Sequence, residues 1–217
     1  MLDTLQHKGR RKQLLAQLSA KFDFDPKVID AMYKVPRHIF VEYGLDHLAY
    51  LDKPLPIGAR QTISQPYTVA MQTHLLLQKL SRFDKVLEIG TGCAYQTAIL
   101  AQMGFRVYSI ERQKSLYLLG QKNLTRLEYH NPLLFFGDGF AGLPQFAPFK
   151  GILITCGAPE IPNTLLTQLA VGGRMVIPLG SGTQTMVTID RISESEFSKS
   201  EHGDYKFVPM LSGTEDK

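Results

Sequence analysis

The stretch Lys85-Val86-Leu87-Glu88-Ile89-Gly90-Thr91-Gly92-Cys93-Ala94-Tyr95-Gln96 carries a short apolar run straight into a glycine turn and out again into a helical pattern. Val86, Leu87 and Ile89 make the near-continuous run of a parallel strand covered on both faces. Gly90 and Gly92 let the backbone turn tightly against a ligand. Ala98, Ile99, Leu100 and Ala101 supply the apolar face of a helix that resumes near Tyr95. Glycine turns between strand and helix also occur for purely structural reasons, so the loop alone does not decide what binds there.

Two carboxylates add to it. Glu88 lies inside the apolar strand, where an ionised side chain is costly unless something pairs with it. Glu111 ends the next apolar run, Val107-Tyr108-Ser109-Ile110, about twenty residues after the glycines, where an acid that accepts both ribose hydroxyls belongs. A nicotinamide cofactor brings a pyrophosphate, which wants a third glycine and a bare helix N-terminus. Here Ala94 and Tyr95 occupy that place, and Glu88 adds negative charge. S-adenosylmethionine carries an ammonium and a sulfonium instead, so charge complementarity favours the methyl donor.

Composition narrows the class. The chain has 217 residues, 44% hydrophobic and 20% charged, which suits one globular domain with a sizeable core and excludes a disordered chain. No stretch has the apolar length to cross a bilayer, and Met1-Leu2-Asp3-Thr4 does not open a signal peptide, so the expected location is the cytoplasm with no membrane partner. Two cysteines, Cys93 and Cys156, make neither a disulfide framework nor a four-ligand zinc site. The formal charge of +4 raises the question of nucleic acid. Much of that excess sits in Lys8, Arg10, Arg11 and Lys12 beside Leu14, Leu15 and Leu18, which reads as the solvated face of an amphipathic helix, and no nucleic-acid partner is expected.

Along the chain the pattern predicts helices over 6–21 and 26–34, the second capped by Asp25 with Pro26 at its first position. An irregular segment follows over 35–66, long enough to suggest a functional loop. Apolar periodicity returns over 67–79. Strands near 105–110, 133–136 and 151–155 then alternate with helices near 114–127 and 162–169, Gly172-Gly173 closing the last helix before a buried strand over 174–178. The tail reads as an antiparallel hairpin of strands 184–192 and 205–208, joined by a polar segment with Ser193, Glu194, Glu196, Ser198 and Lys199. The expected fold is an α/β three-layer sandwich with a mostly parallel sheet, an antiparallel C-terminal edge and preceding N-terminal helices. Residues 1–217 are one domain, divided into 1–80 (helices and substrate loop), 81–180 (cofactor core) and 181–217 (hairpin).

In open α/β sheets the ligand lies beyond the carboxyl ends of the strands. Gly90 to Cys93, Glu111, Gly137-Asp138-Gly139 and Cys156-Gly157-Ala158-Pro159 each follow an expected strand, so all four face one rim. There Asp138 either accepts from an adenine amino group or belongs to an ordinary turn.

With these placed, the chain resembles the protein-L-isoaspartate O-methyltransferase family. The resemblance is carried by Val35-Pro36-Arg37-His38-Ile39-Phe40-Val41, Gln61-Thr62-Ile63-Ser64-Gln65-Pro66, the glycine loop, Gly137-Asp138-Gly139 and Ala158-Pro159-Glu160-Ile161-Pro162, with an echo in Phe207-Val208-Pro209. It implies a Rossmann-like class I methyltransferase fold and methyl transfer from S-adenosylmethionine to the α-carboxylate of L-isoaspartyl residues in damaged proteins and peptides, after which the ester collapses to a succinimide. It implies Ser64 as the active-site residue, Thr62 and Ser64 on the substrate, and Gln61, Thr62 and Ile63 at the methionine end of the cofactor. It further implies Glu88, Gly90, Gly92 and Cys93 around the amino-acid portion, Glu111 at the ribose, and Asp138 with Gly139 at the adenine. The chemistry agrees, because a carboxylate nucleophile with a reference pKa of about 4 needs no general base. No metal is expected, and the protein is expected to act as a monomer.

The family usually carries Ser-Gly where this chain has Cys93-Ala94, and bacterial members commonly have glycine where it has Arg60. Cys93 and Cys156 read either as an oxidation-sensitive pair or as two small buried side chains. The six histidines show no metal spacing. Two other readings stay open: methylation of RNA or a small molecule, and an adaptor that binds the cofactor without catalysis. Amine methyltransferases carry an Asn/Asp-Pro-Pro-aromatic motif where this chain reads Thr155-Cys156-Gly157-Ala158-Pro159, and intact Ser64, Glu88, Glu111 and Asp138 argue against an adaptor.

Overall fold

The structure, a computed structural model, describes residues 3–216. Helix α1 (Leu5–Lys21) is capped by Thr4, whose side chain accepts from the His7 amide, and α2 (Pro26–Lys34) by Asp25, which accepts from the Lys27 amide at 2.8 Å. Leu14, Leu15 and Leu18 are buried as the amphipathic pattern requires. Arg11 does not share the solvated face assigned to it. It is 3% exposed, and its guanidinium donates to both carboxylate oxygens of Asp3 and to the Tyr50 hydroxyl.

The irregular segment contains two 3₁₀ turns, Arg37–Ile39 and Asp46–Leu48, and a two-stranded antiparallel hairpin of β1 (Leu55–Pro56) and β2 (Thr62–Ile63). Helix α3 (Pro66–Leu77) follows, with most of its residues buried, so its apolar positions show little one-sidedness.

The main sheet contains β3 (Lys85–Ile89), β4 (Arg106–Glu111), β5 (Leu133–Phe136), β6 (Phe149–Ile154), β7 (Leu169–Leu179), β8 (Gln184–Arg191) and β9 (Phe197–Tyr205), in the order β5-β4-β3-β6-β7-β8-β9. The first five strands in that order run parallel, β8 pairs antiparallel with β7, and β9 pairs antiparallel with β8. Helices α4 (Tyr95–Gln102), α5 (Lys114–Arg126) and α6 (Asn163–Leu166) connect them.

Two expectations are corrected. The helix expected over 162–169 is the single turn α6, and Gly172-Gly173 lies inside β7 rather than ending a helix. Phe149 pairs with Leu169 but Gly151 with Arg174, so β7 bulges there, with Gly172 at φ 72°. The last strand is β9, which takes in Ser198 and Lys199 from the segment read as a linker.

The sheet divides two apolar clusters. Side chains alternate along a strand, so Val86 faces the cluster built with α1 to α5, while Leu87 and Ile89 face the other. That second face is covered by α6, the 3₁₀ turn Pro144–Phe146 and the C-terminal tail through Met210. Glu88 shares the side of Val86 and is turned into the helix layer. Neighbours β4 and β6 leave β3 in opposite directions, which opens a crevice at its carboxyl end.

Candidate active site

Gly90 stands at φ 94° just beyond β3, and a Cβ there would come within 2.5 Å of the Thr155 hydroxyl oxygen. That hydroxyl, at the end of β6, reaches the carbonyls of Ile89 and Gly90 at 2.9 and 2.7 Å. Only glycine fits so close a junction of two strand ends. Gly92 follows at φ 54°, under the β1–β2 hairpin, with a would-be Cβ 3.2 Å from Ile57 Cδ1.

Glu111 ends β4 and is held by backbone amides: Gly92 N–H donates to Oε2 at 2.8 Å and Gln113 N–H to Oε1 at 2.9 Å. Burial pushes its pKa up, and these amides hold it down. A cavity opens beside it, lined by Gln61, Thr62, Gly90, Gly92 and Gly139 and walled by Ile89, Ile110, Met210 and Leu211. An apolar slot with one carboxylate at its edge matches a flat base joined to a diol. At Gly139 a Cβ would meet Ile89 Cγ2 at 2.5 Å, so the slot keeps its width only with glycine there.

An inner recess adjoins this cavity, lined by Ile63, Ser64, Gly90, Cys93 and Gln96. On the outer side an open groove contains Ser64, Tyr67, His202 and Tyr205. Thr62 and Thr155 border all three spaces. Of the residues singled out in the sequence, Gln61, Thr62, Ile63, Ser64, Gly90, Gly92, Cys93, Glu111 and Gly139 therefore lie around one connected site.

Glu88 and Asp138 do not line it. Glu88 is fully buried behind the glycine turn, its Oε2 accepting from the Thr97 and Ser109 hydroxyls at 2.5 and 2.6 Å. Burial pushes its pKa up to about 7, against the pull of those two hydrogen bonds. The alternation that turns position 88 toward α4 keeps this carboxylate off the cavity wall. Asp138 accepts from the amides of Phe140 and Gly213 at 2.9 and 2.7 Å, tying the tail to the rim.

Thr155, Gln96, Met210 and Leu211 line the site but were not read from the sequence. Thr155 was signalled only by its place at a strand end; the others by nothing local. Cys93 and Cys156 are both free, and burial pushes their thiols up to about 11 and about 12, so neither is a thiolate near neutral pH. The histidines hold a surprise away from the site: Asp3, His7 and His38 bring ligand-type atoms within 4.8 Å of one another. Arg11 already occupies both oxygens of Asp3 there, and its charge opposes a cation. Among the described residues no helix is long and apolar enough to cross a membrane.

A family model described as protein-L-isoaspartate(D-aspartate) O-methyltransferase matches residues 9–215. A protein-L-isoaspartate O-methyltransferase of Christiangramia forsetii is 49% identical over 211 residues, 97% of this chain and 98% of that one. Its counterpart in Methylobacillus flagellatus is 47% identical over 207 residues, 94% of this chain and 92% of that one. Among solved structures, a protein-L-isoaspartate O-methyltransferase superposes with a TM-score of 0.82 at 27% identity, over 92% of this chain and 65% of its own length. A Plasmodium falciparum chain in complex with S-adenosyl-L-homocysteine has the same fold, with a TM-score of 0.82 at 24% identity, over 93% of this chain and 98% of its own. The match over nearly the whole length, on a chain whose glycine loop, ribose-type acid and Thr-Ile-Ser-Gln-Pro segment meet at one crevice, makes this protein a member of the protein-L-isoaspartate(D-aspartate) O-methyltransferase family.

Proposed function

We propose that the protein is a repair enzyme that methylates the α-carboxylate of L-isoaspartyl residues in damaged proteins and peptides, using S-adenosylmethionine. One observation carries this reading best: the carboxylate-edged cavity and the open groove meet at Thr62, with Ser64 facing the groove. S-adenosylmethionine, when bound, supplies a methyl group activated by its sulfonium.

The chain's own residues bind, orient and exclude water. Glu111 accepts the ribose hydroxyls, and the apolar slot at Gly139 takes the adenine. Gln61, Thr62, Ile63, Gly90, Gly92 and Cys93 surround the methionine end. Glu88 and Asp138 serve at one remove, Glu88 by bracing the glycine turn against α4 and Asp138 by fastening the tail over the cavity. The substrate carboxylate is ionised near neutral pH, so the site has only to align it. Ser64 donates one hydrogen bond that orients the attacking oxygen, and Thr62 shapes the slot for the short side arm of isoaspartate. A strongly charged partner is not wanted there, because tight pairing would blunt the nucleophile.

Residues 1–217 act as one unit, as a monomer in the cytoplasm, with polypeptide rather than nucleic acid or membrane as partner. The test offers methyl-labelled S-adenosylmethionine to paired peptides that differ only in aspartate or isoaspartate at one position. Base-labile label on the isoaspartyl peptide alone is expected; equal labelling, or none with folded protein, rejects the assignment.

A further inference from the structure

We propose that Gln96 recognises the α-ammonium group of the methyl donor through a side-chain oxygen that the protein leaves without a partner beside the inner recess. The proposal rests on reading the cavity as the S-adenosylmethionine site and adds a residue to it. Gln96 sits in the first turn of α4, 7% exposed, and lines the recess beside Gly90, Cys93 and Ser64. Its amide orientation is fixed from α3. The Thr73 hydroxyl has one proton, which it donates to the Val69 carbonyl at 2.7 Å, so it accepts from Gln96 Nε2 at 3.0 Å. A flipped amide would set two oxygens against each other with no proton between them.

The consequence falls on Oε1, which is buried with no hydrogen-bond partner in the protein. Buried acceptors are rarely left so, because each costs stability until a donor arrives. Two more acceptor oxygens, Gln72 Oε1 and Glu88 Oε1, are orphaned too, but neither residue lines the recess. Gln96 is thus the member of this set that meets the ligand space. An amino-acid end group presents two chemistries: a carboxylate that only accepts and an ammonium that only donates. An amide oxygen repels the first and receives the second. Gln96 therefore sets which way round that end lies, and Thr73 sets Gln96.

Isothermal titration separates this from a packing role. The ligands are S-adenosyl-L-homocysteine and 5′-(3-carboxypropylthio)-5′-deoxyadenosine, the same thioether nucleoside without the amino group. Replacing Gln96→Leu is expected to weaken the first about tenfold or more and the second less than about twofold, since a hydrogen bond to a charged group is lost only with the former. Equal weakening of both overturns the proposal. If Gln96→Leu does not fold, Gln96→Met carries the same comparison, because an unbranched side chain of similar length fills the place without an amide oxygen. The ratio of the two affinities must then shift away from the amino-bearing ligand, and an unchanged ratio overturns the proposal. Wild-type protein that binds neither nucleoside overturns the cavity reading as well, whereas a parallel loss in the variant with intact wild-type binding removes only the role of Gln96.

Discussion

Arg60 and Ala94 are held in the left-handed region at φ 55° and 68°, where a side chain crowds the following carbonyl. Glycine, which the family resemblance leads one to expect at both places, would adopt this conformation without strain. The two sites differ in what a glycine would give back. Arg60 is exposed at the tip of the β1–β2 hairpin, so Arg60→Gly relieves strain at the expense of some chain entropy, a net gain of about 0.5–1 kcal/mol in denaturant titration. No gain would mean that the turn is relaxed with arginine. Ala94 is buried, and a Cβ placed on Gly120 would lie 3.4 Å from its own, so loss of its methyl, worth about 0.8 kcal/mol, offsets the relief. Glu88 makes a pH-dependent prediction. Its folded pKa of about 7 exceeds the ordinary 4.5, so the folded state binds the extra proton between those values. Its contribution to stability is complete below pH 4.5, declines as pH rises through that window and is lost above 7, a change on the order of 3 kcal/mol. Glu88→Gln is expected to flatten stability between pH 5 and 7 relative to wild type, and parallel curves would show that Glu88 ionises at its ordinary value.

At the scale of elements, β3, β4, α4 and α5 were legible because apolar runs and glycine turns coincide there, and the rim they build followed from strand polarity. Where one signal serves two structures the reading failed. Gly172-Gly173 marks a helix end as readily as a bulge, and only pairing with β6 distinguishes them. Strand β9 is mostly exposed, so no alternation of apolar and polar residues announced it. Glu88 was legible as a buried charge but not as one turned away from the cavity, since that depends on which face of β3 the helices cover. The tail was the largest omission. Gly157 and Met210 exchange backbone hydrogen bonds with Val208 and Gly157 at 2.8 and 2.7 Å, and Glu215 bridges to the backbone of Arg112 and Lys114 at 2.8 and 2.9 Å. Such contacts span too much sequence to leave a local pattern. Since Met210 and Leu211 wall the cavity, deletion of residues 211–217 is expected to weaken S-adenosyl-L-homocysteine binding about tenfold while leaving the far-ultraviolet spectrum intact. Unchanged affinity would show that the tail crosses the rim without closing it.

For the whole molecule, the question is whether the N-terminal helices form a unit apart from the cofactor core. Their packing joins them to it. Leu14, Leu15 and Leu18 belong to the same apolar cluster as Val86 and Val107 of the central strands, and α3 links the two through Gln72, which donates to the Ile154 carbonyl at 2.8 Å. A cluster shared in this way transmits damage. Leu18 is fully buried, so Leu18→Ala removes apolar contact and leaves a cavity at a cost of about 3 kcal/mol. If α1 and the sheet unfold together, calorimetry shows one transition at a lower temperature, and S-adenosyl-L-homocysteine raises its midpoint by mass action although the substitution lies outside the cavity. If α1 is separable, a second, earlier transition appears that the nucleoside does not move. The distinction bears on substrate binding. The hairpin and the Gln61 to Pro66 loop lie between α2 and α3, and both helices pack in one cluster with the central strands, which holds Thr62 and Ser64 in register with the crevice at the end of β3.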